Sequence, residues 1–377
     1  MATVTKTIGT SSRDYSNINA WEADLNDASI YSHGDTAVGE MYADSTFTGA
    51  TSDIENGSSI GGSDSQDLAL IKLTVHEDSR HDGTAESGAL LKPTSGSGHN
   101  VGIIRIKVDN VTVEWLDISM DGLDSTNTNR AIFLDSGVGD CTLRNMLIHD
   151  KGGNPGSSGP AVIVSNQAAG TGDNWYFLNN IIYNIVETSN DSCSAMNFRS
   201  FQGNLYVYNN TIYFIQANGG SKDAVGMRFG NSANTTANIK NNIVSNLVAS
   251  DKKYGYLIDN GSATLNSANN LSDNTVDSAY SAEDFGRNAN DSTGLTGKTL
   301  AEIAFISTVA TSEDLRLAQL SSSAVPSICR DAGVDLGTTG GVNIDIAGRD
   351  RDAAGDTWDI GAHEQVYIST PFIGFVE

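Results

Sequence analysis

Asp117, His149 and Asp150 are the first residues whose types and spacing suit chemistry, because the last two follow the first by about one period of the repeat described below. Glycoside hydrolysis uses two carboxylates about 5–10 Å apart. Strands on neighbouring turns of a stacked chain lie roughly 4.8 Å apart, so the trio qualifies by distance, although Asp-rich loops also bring acids together by coincidence. A second set is a column, Asp135, Ser165, Arg199, Arg228 and Asp259, at steps of 30, 34, 29 and 31 residues. Each follows an apolar residue read as inward (Leu134, Val164, Phe198, Met227, Ile258), so the column is expected to point outward. An arginine pair flanked by aspartates can bind an acidic sugar or neutralise a uronate carboxylate for β-elimination. The plainer reading, a ladder of exposed ion pairs worth about 0–1 kcal/mol each, is preferred. No catalytic set is therefore expected, and an enzyme would have to rest on Arg199, Arg228, Asp135 and Asp259.

The remaining reactive residue types are dispersed. Asp350, Asp352 and Asp356 open like a calcium loop, but the fifth position lacks a ligand and Gly361 stands where a bidentate glutamate belongs. They read as an Asp-rich turn; no cofactor is expected, and calcium at these three acids is the one weak candidate. The six histidines form no H-E-x-x-H pattern, and Cys141, Cys193 and Cys329 give neither a disulfide framework nor a zinc site. A nucleophile elbow and a phosphate-cradling glycine loop are absent.

The elements that position these residues come from a repeat. Asn179-Asn180, Asn209-Asn210, Asn241-Asn242 and Asn269-Asn270 each stand in an apolar setting, and Asn145 and Trp115 continue the rhythm upstream. Taking the second Asn or its equivalent as marker gives 115, 145, 180, 210, 242 and 270. Phe177, Val207 and Ile239 precede the marker by three, and Ile182, Ile212 and Val244 follow it by two. Further short strands lie upstream, and no helix long enough for a βαβ crossover interrupts them. Units that cannot bury a face alone must stack. The expected fold is all-β, a right-handed parallel β-helix solenoid, in which the Asn side chains bond along the column at a tight turn.

The ends differ from the middle. Tyr15–Leu25 reads as a short cap helix with Ser16 as N-cap and Ile18, Trp21 and Leu25 on one face. One continuous domain is expected: residues 1–100 as cap and irregular early coils, 101–275 as regular coils, 276–377 as C-terminal coils and an irregular C-terminal cap. The chain has 46 acidic and 22 basic residues, a net charge of -24. Acids and bases number 15 and 5 over residues 1–100, 12 and 9 over 101–250, and 19 and 8 over 251–377, so the charge sits at the ends. Such a chain repels phosphate backbones, and no apolar run of about 18 residues exists to cross a membrane. Nucleic-acid binding and membrane insertion are excluded as primary roles.

Asp331-Ala332-Gly333-Val334-Asp335, Gly348-Arg349-Asp350-Arg351 and Asp359-Ile360-Gly361-Ala362-His363-Glu364 follow one another near the end. That order resembles the terminal segment of pectate-lyase-like β-helix surface proteins of phages and bacteria, with His363 in place of the usual aromatic and Asp350 and Asp352 where prolines are common. The N-terminal DYSNINAWEADL is similar to the cap helix of the same fold. Arg105-Ile106-Lys107 resembles the R-I-K of polygalacturonases but lies upstream of its place there. The resemblance implies the fold; the fold itself hosts lyases, hydrolases and inert fibres. Met1–Thr10 lacks the layout of a secretory signal, which suits a phage virion part assembled in the host cytosol. The expected role is a non-catalytic virion protein (fibre, spike or capsid decoration), with other virion proteins and host surface polysaccharide as partners and a homotrimer as one assembly. The alternatives are a lyase or hydrolase of acidic polysaccharide and a secreted bacterial adhesin.

Overall fold

Short strands that bury one face but cannot build a core alone stack on their neighbours, and in the computed structural model of the protein they do so as a parallel β-helix. It describes residues 1–48, 52–54, 68–93, 102–121, 123, 130–135, 138–151, 161–165, 172–187, 192–198, 201–220, 222–229, 235–258, 264–273, 295–296, 298–318, 327–353 and 357–365. Three parallel sheets run along the rod: sheet A with nine strands from Thr3–Ile8 to Thr264–Ala268, sheet B with eight from Leu90–Leu91 to Leu295–Thr296, and sheet C with seven from Ser52–Ile54 to Lys253–Ile258. One coil runs Asn174–Leu178 in sheet A, Ile181–Glu187 in sheet B and Cys193–Phe198 in sheet C. The inward columns are those the spacing predicts: Phe177, Val207, Ile239, Ile182, Ile212 and Val244 are fully buried in one continuous core.

Sheet A already contains Thr3–Ile8, so the stack starts at the third residue, and helix α1 (Ile18–Ala23) is inserted between the first two strands. Its N-cap is Asn17, not Ser16: the Asn17 Oδ1 accepts from the Ala20 amide at 2.9 Å. Ile18, Trp21 and Leu25 are buried as expected. The Trp21 indole lies so close over Gly39 that a Cβ there would stand 2.7 Å from the ring.

Between sheets A and B the chain reverses in two residues. Trp115, Asn145, Asn179, Asn209, Asn241 and Asn269 form one column there, all with left-handed backbone (φ 53 to 66°). Asn accepts that conformation more readily than other residues with a Cβ. The strand register pairs Arg144 with Leu178 and Leu147 with Ile181, so Trp115 and Asn145 align with the first Asn of each pair. The expected equivalence to the second Asn is thus one residue out. The second column is Leu116, Met146, Asn180, Asn210, Asn242 and Asn270, and its four asparagines form the ladder. Asn180, Asn210 and Asn242 each donate Nδ2 to the next Oδ1 at 2.8–2.9 Å, and each Oδ1 also takes a backbone amide from the coil before.

Leu295–Thr296 pairs with Leu271–Ser272 and extends sheet B by one strand, and the described residues after it lie against the side of the rod. Residues 298–317 carry a helix α2 (Leu300–Ile303) and a hairpin (Phe305–Ser307 with Asp314–Leu317), where the sequence suggests helical or mixed pieces. With residues 327–362 they cover the outer face of sheet B, burying Leu147, Ile181, Tyr183, Ile243 and Leu271 beneath Ile303, Leu315, Ile346 and Ile360. The chain then straps back along the left-handed column. Asn269 donates to the Ala332 carbonyl (2.7 Å), Asn241 to Val334 (2.8 Å), Asn179 to Val342 and Ile344 (3.0 and 2.7 Å), and Asn145 to Asp345 (2.9 Å). Asn209 keeps the backbone but its buried amide meets no partner. The strap leaves the column between Val334 and Val342, at a loop where Arg144 occupies the space any Cβ on Gly341 would need.

The motif residues of the tail lock this strap. Arg351, fully buried, binds Glu364 at 2.7 Å, the Gly361 carbonyl at 2.9 Å and Asn179 Oδ1 at 3.3 Å. Asp345 accepts from the amides of Ala347, Arg349 and Glu364, and Asp359 from those of Asp331 and Gln365. Burial, with three guanidinium charges nearby, holds His363 down at about 3, so its neutral Nε2 accepts from Arg349 at 3.0 Å.

Two outcomes follow from these bonds. Asn210→Ala removes partners from buried amides on both neighbouring coils and is expected to cost about 2–3 kcal/mol in urea unfolding; a loss under about 0.5 kcal/mol would contradict the ladder's role. Burial pushes Glu364 up to about 7 and Asp359 up to about 6 against the pull of Arg351. Both lie above the ordinary carboxylate range of about 4, so the closed strap holds protons that a released strap gives up. Its stability is therefore complete near the ordinary carboxylate pKa and is lost as pH rises through these two values. Amide-exchange protection over residues 327–365 is expected to fall from pH 5 to pH 8, with Glu364→Gln flattening the trend; equal protection at both pH values would contradict it.

Candidate functional site

A groove of about 750 Å³ opens where three separate segments meet on the sheet B side of the rod: the loop around Thr84–Glu86 and Lys92, the bend within the sheet B strands at Asp150 and Asn184, and the hairpin tip Thr311–Asp314. Each sheet B strand here turns through a left-handed residue, Asp150 (φ 59°) and Asn184 (φ 54°), which aims both side chains at the groove. Arg316 binds Asp314 at 2.7 Å and Asp82 at 3.1 Å, which fastens the hairpin to the loop opposite.

The groove brings together the trio that spacing singles out. His149 lies between Asp117 and Asp150, with Nε2 2.8 Å from Asp117 and Nδ1 2.7 Å from Asp150, and its ring stacks on Tyr183 at 5.3 Å. Burial works against the charged ring, but hydrogen bonds and charge from both aspartates raise its pKa to about 9. The charged ring is favoured, and each of its nitrogens faces one of the two carboxylates. Asp117 is fully buried, and its second oxygen takes the Glu86 amide at 2.6 Å. The imidazole fills the space between the two carboxylates that a hydrolytic water or sugar would need. Proximity is as expected; accessibility is not.

What faces the groove is Asp150, a third exposed along its side chain, with Lys92 between Asp121 (3.1 Å) and Glu86 (4.0 Å) and with Glu313 opposite. Lys92 is raised by its bond to Asp121. Behind the rim, Lys151 and Glu187 form a buried pair at 3.4 Å. Nothing in the sequence marks that pair except its separation by one coil, as for Asp117 and His149.

In the described part of sheet C, Phe198 pairs with Phe229 and Arg228 stands opposite Asn197. Ser165 pairs with Leu134, not with Asp135. Asp135 is bound instead by Arg105 from the preceding coil, the arginine of the R-I-K tripeptide. Arg199 and Asp259 lie outside the described residues, as does Asp356. Of the other calcium candidates, Asp350 accepts from Asn343 and the Asp352 amide, and Asp352 from the Trp358 indole at 3.0 Å. Among the described residues no group of three or more His, Cys, Asp or Glu is placed to hold a metal ion.

If His149 is locked as an imidazolium, its folded pKa lies above the ordinary value of about 6.5. The stability it adds is full below that value and is lost as pH rises through about 9. The advantage of wild type over His149→Gln in urea unfolding should therefore be full at pH 6, shrink from about pH 6.5 and be gone above about pH 9; an advantage that grows with pH would refute the pairing. No known protein-family model matches the chain, and no curated protein is similar to it in sequence.

Proposed function

We propose that the protein is a non-catalytic structural rod of an extracellular assembly, and specifically a phage virion component of fibre, spike or decoration type. The observation that carries this reading is the use to which the chemically capable residues are put. His149 and Asp117 are spent on each other in the interior, and the tail's Arg351, Asp345, Asp359 and Glu364 are spent on clamping the chain to its own coils. A buried Asp–His pair can serve catalysis, but here carboxylates hold both ring nitrogens of His149, which leaves neither nitrogen for a substrate. The virion assignment is supported by the resemblance of the tail motifs to phage and bacterial surface proteins.

One observation favours a second reading, a polysaccharide-processing enzyme: the groove is acid-lined and Asp150 reaches it. Incubation with alginate, pectate and capsular polysaccharide is expected to release neither unsaturated nor new reducing ends. Product formed by wild type and abolished by Asp150→Asn would defeat the structural reading. Gold-labelled antibody to the chain is expected to decorate phage particles; label confined to bacterial surfaces would move the protein to the adhesin class.

A further inference from the structure

The outer face of sheet A carries a feature that lies apart from the groove and is bordered by the strap, which packs against the edge of its two tyrosines. Strand register places Asn174, Asn204, Thr236 and Thr264 in one outward column. The next column holds Tyr176, Tyr206, Asn238 and Asn266. All eight are exposed or half-exposed. In a chain of net charge -24, these two columns carry no charge over four successive coils. Asp140, one coil below, and Lys240, one column across, bound the array.

The array is also pre-ordered. Asn204 donates to Asn174 Oδ1 at 3.1 Å, Asn266 donates to Asn238 Oδ1 at 3.0 Å, and the rings of Tyr176 and Tyr206 stack at 4.7 Å and 10°. Side chains held by cross-coil bonds lose less entropy when a ligand orders them. Along one edge stands a ridge from the strap, where Val342 and Trp358 pack on Leu178 and Tyr208 beside the two stacked tyrosines.

We propose that this face binds an extended, uncharged polysaccharide lying along the rod axis beside the strap ridge. A pair of hydrogen-bonding side chains recurs every coil, Asn with Tyr on the first two and Thr with Asn on the next two, at roughly 4.8 Å, close to one sugar unit of an extended chain. Four coils span about 14 Å, enough for three or four sugars. Amide and phenol groups match hydroxyls in both donor and acceptor sense. Uronates and phosphorylated glycans are disfavoured by the field of the whole chain. The surface is separate from the acid-lined groove, and the assignment stands whether the rod belongs to a virion or to a cell surface.

Affinity electrophoresis of the full chain in gels containing mixed-linkage β-glucan, galactomannan or alginate tests this. Retardation by at least one of the two neutral polymers and none by alginate is expected. The double substitution Asn204→Asp with Asn238→Asp, which leaves the core untouched, should weaken retardation at least tenfold, and Tyr206→Ala should do the same. Migration unaffected by both neutral polymers, retardation by alginate alone, or full retention of retardation in the double variant would each overturn the proposal.

Discussion

The structure depends on how it satisfies backbone and amide groups at a two-residue reversal buried inside a rod. A turn this tight needs left-handed backbone, which Asn supplies at low cost, and it leaves amides and carbonyls facing the interior where water cannot reach them. The second asparagine of each pair meets that need by bonding upward to the next coil and sideways to backbone. Because each rung needs the next, the ladder also sets the vertical register. A slip of one coil would leave several buried polar groups unpaired. Where the need lapses, at Met146 and Leu116, apolar side chains take over and pack as ordinary core.

The first asparagine of each pair points outward and would expose its amide to a crevice. The C-terminal strap uses those amides as anchors, and in doing so covers the outer apolar face of sheet B. One segment thus answers two requirements, polar satisfaction along the turn and burial beside it. The hairpin upstream of the strap forms one wall of the groove, and the strap supplies the ridge that borders the neutral face of sheet A.

Much of this was legible from residue types. The paired asparagines and the apolar residues at fixed offsets give the coil, its core and the ladder. Asp117, His149 and Asp150 are readable as neighbours because one coil separates them. Sequence carries direction without depth. Trp115 and Asn145 stand one residue from the expected equivalence because a lone Asn or Trp does not say which half of the turn it fills. Met227 and Phe229 both point inward, so alternation alone does not say which of them aligns with Phe198. Burial of Asp117 depends on the Glu86 loop above it, which no periodicity announces. The strap's path depends on Arg351 meeting Asn179 across 172 residues, a pairing that local pattern does not contain.

The strap also changes how the rod responds to load. Stacked repeats ordinarily interact only with neighbours, so strain at one coil opens that coil and then spreads. Here a single covalent segment touches the turns at Asn269, Asn241, Asn179 and Asn145, so coils far apart share tension through it. The segment that does this is made after the coils it fastens. During synthesis the stack must stand unbraced, and it becomes one mechanical unit only when residues beyond Cys329 arrive to lie along its side.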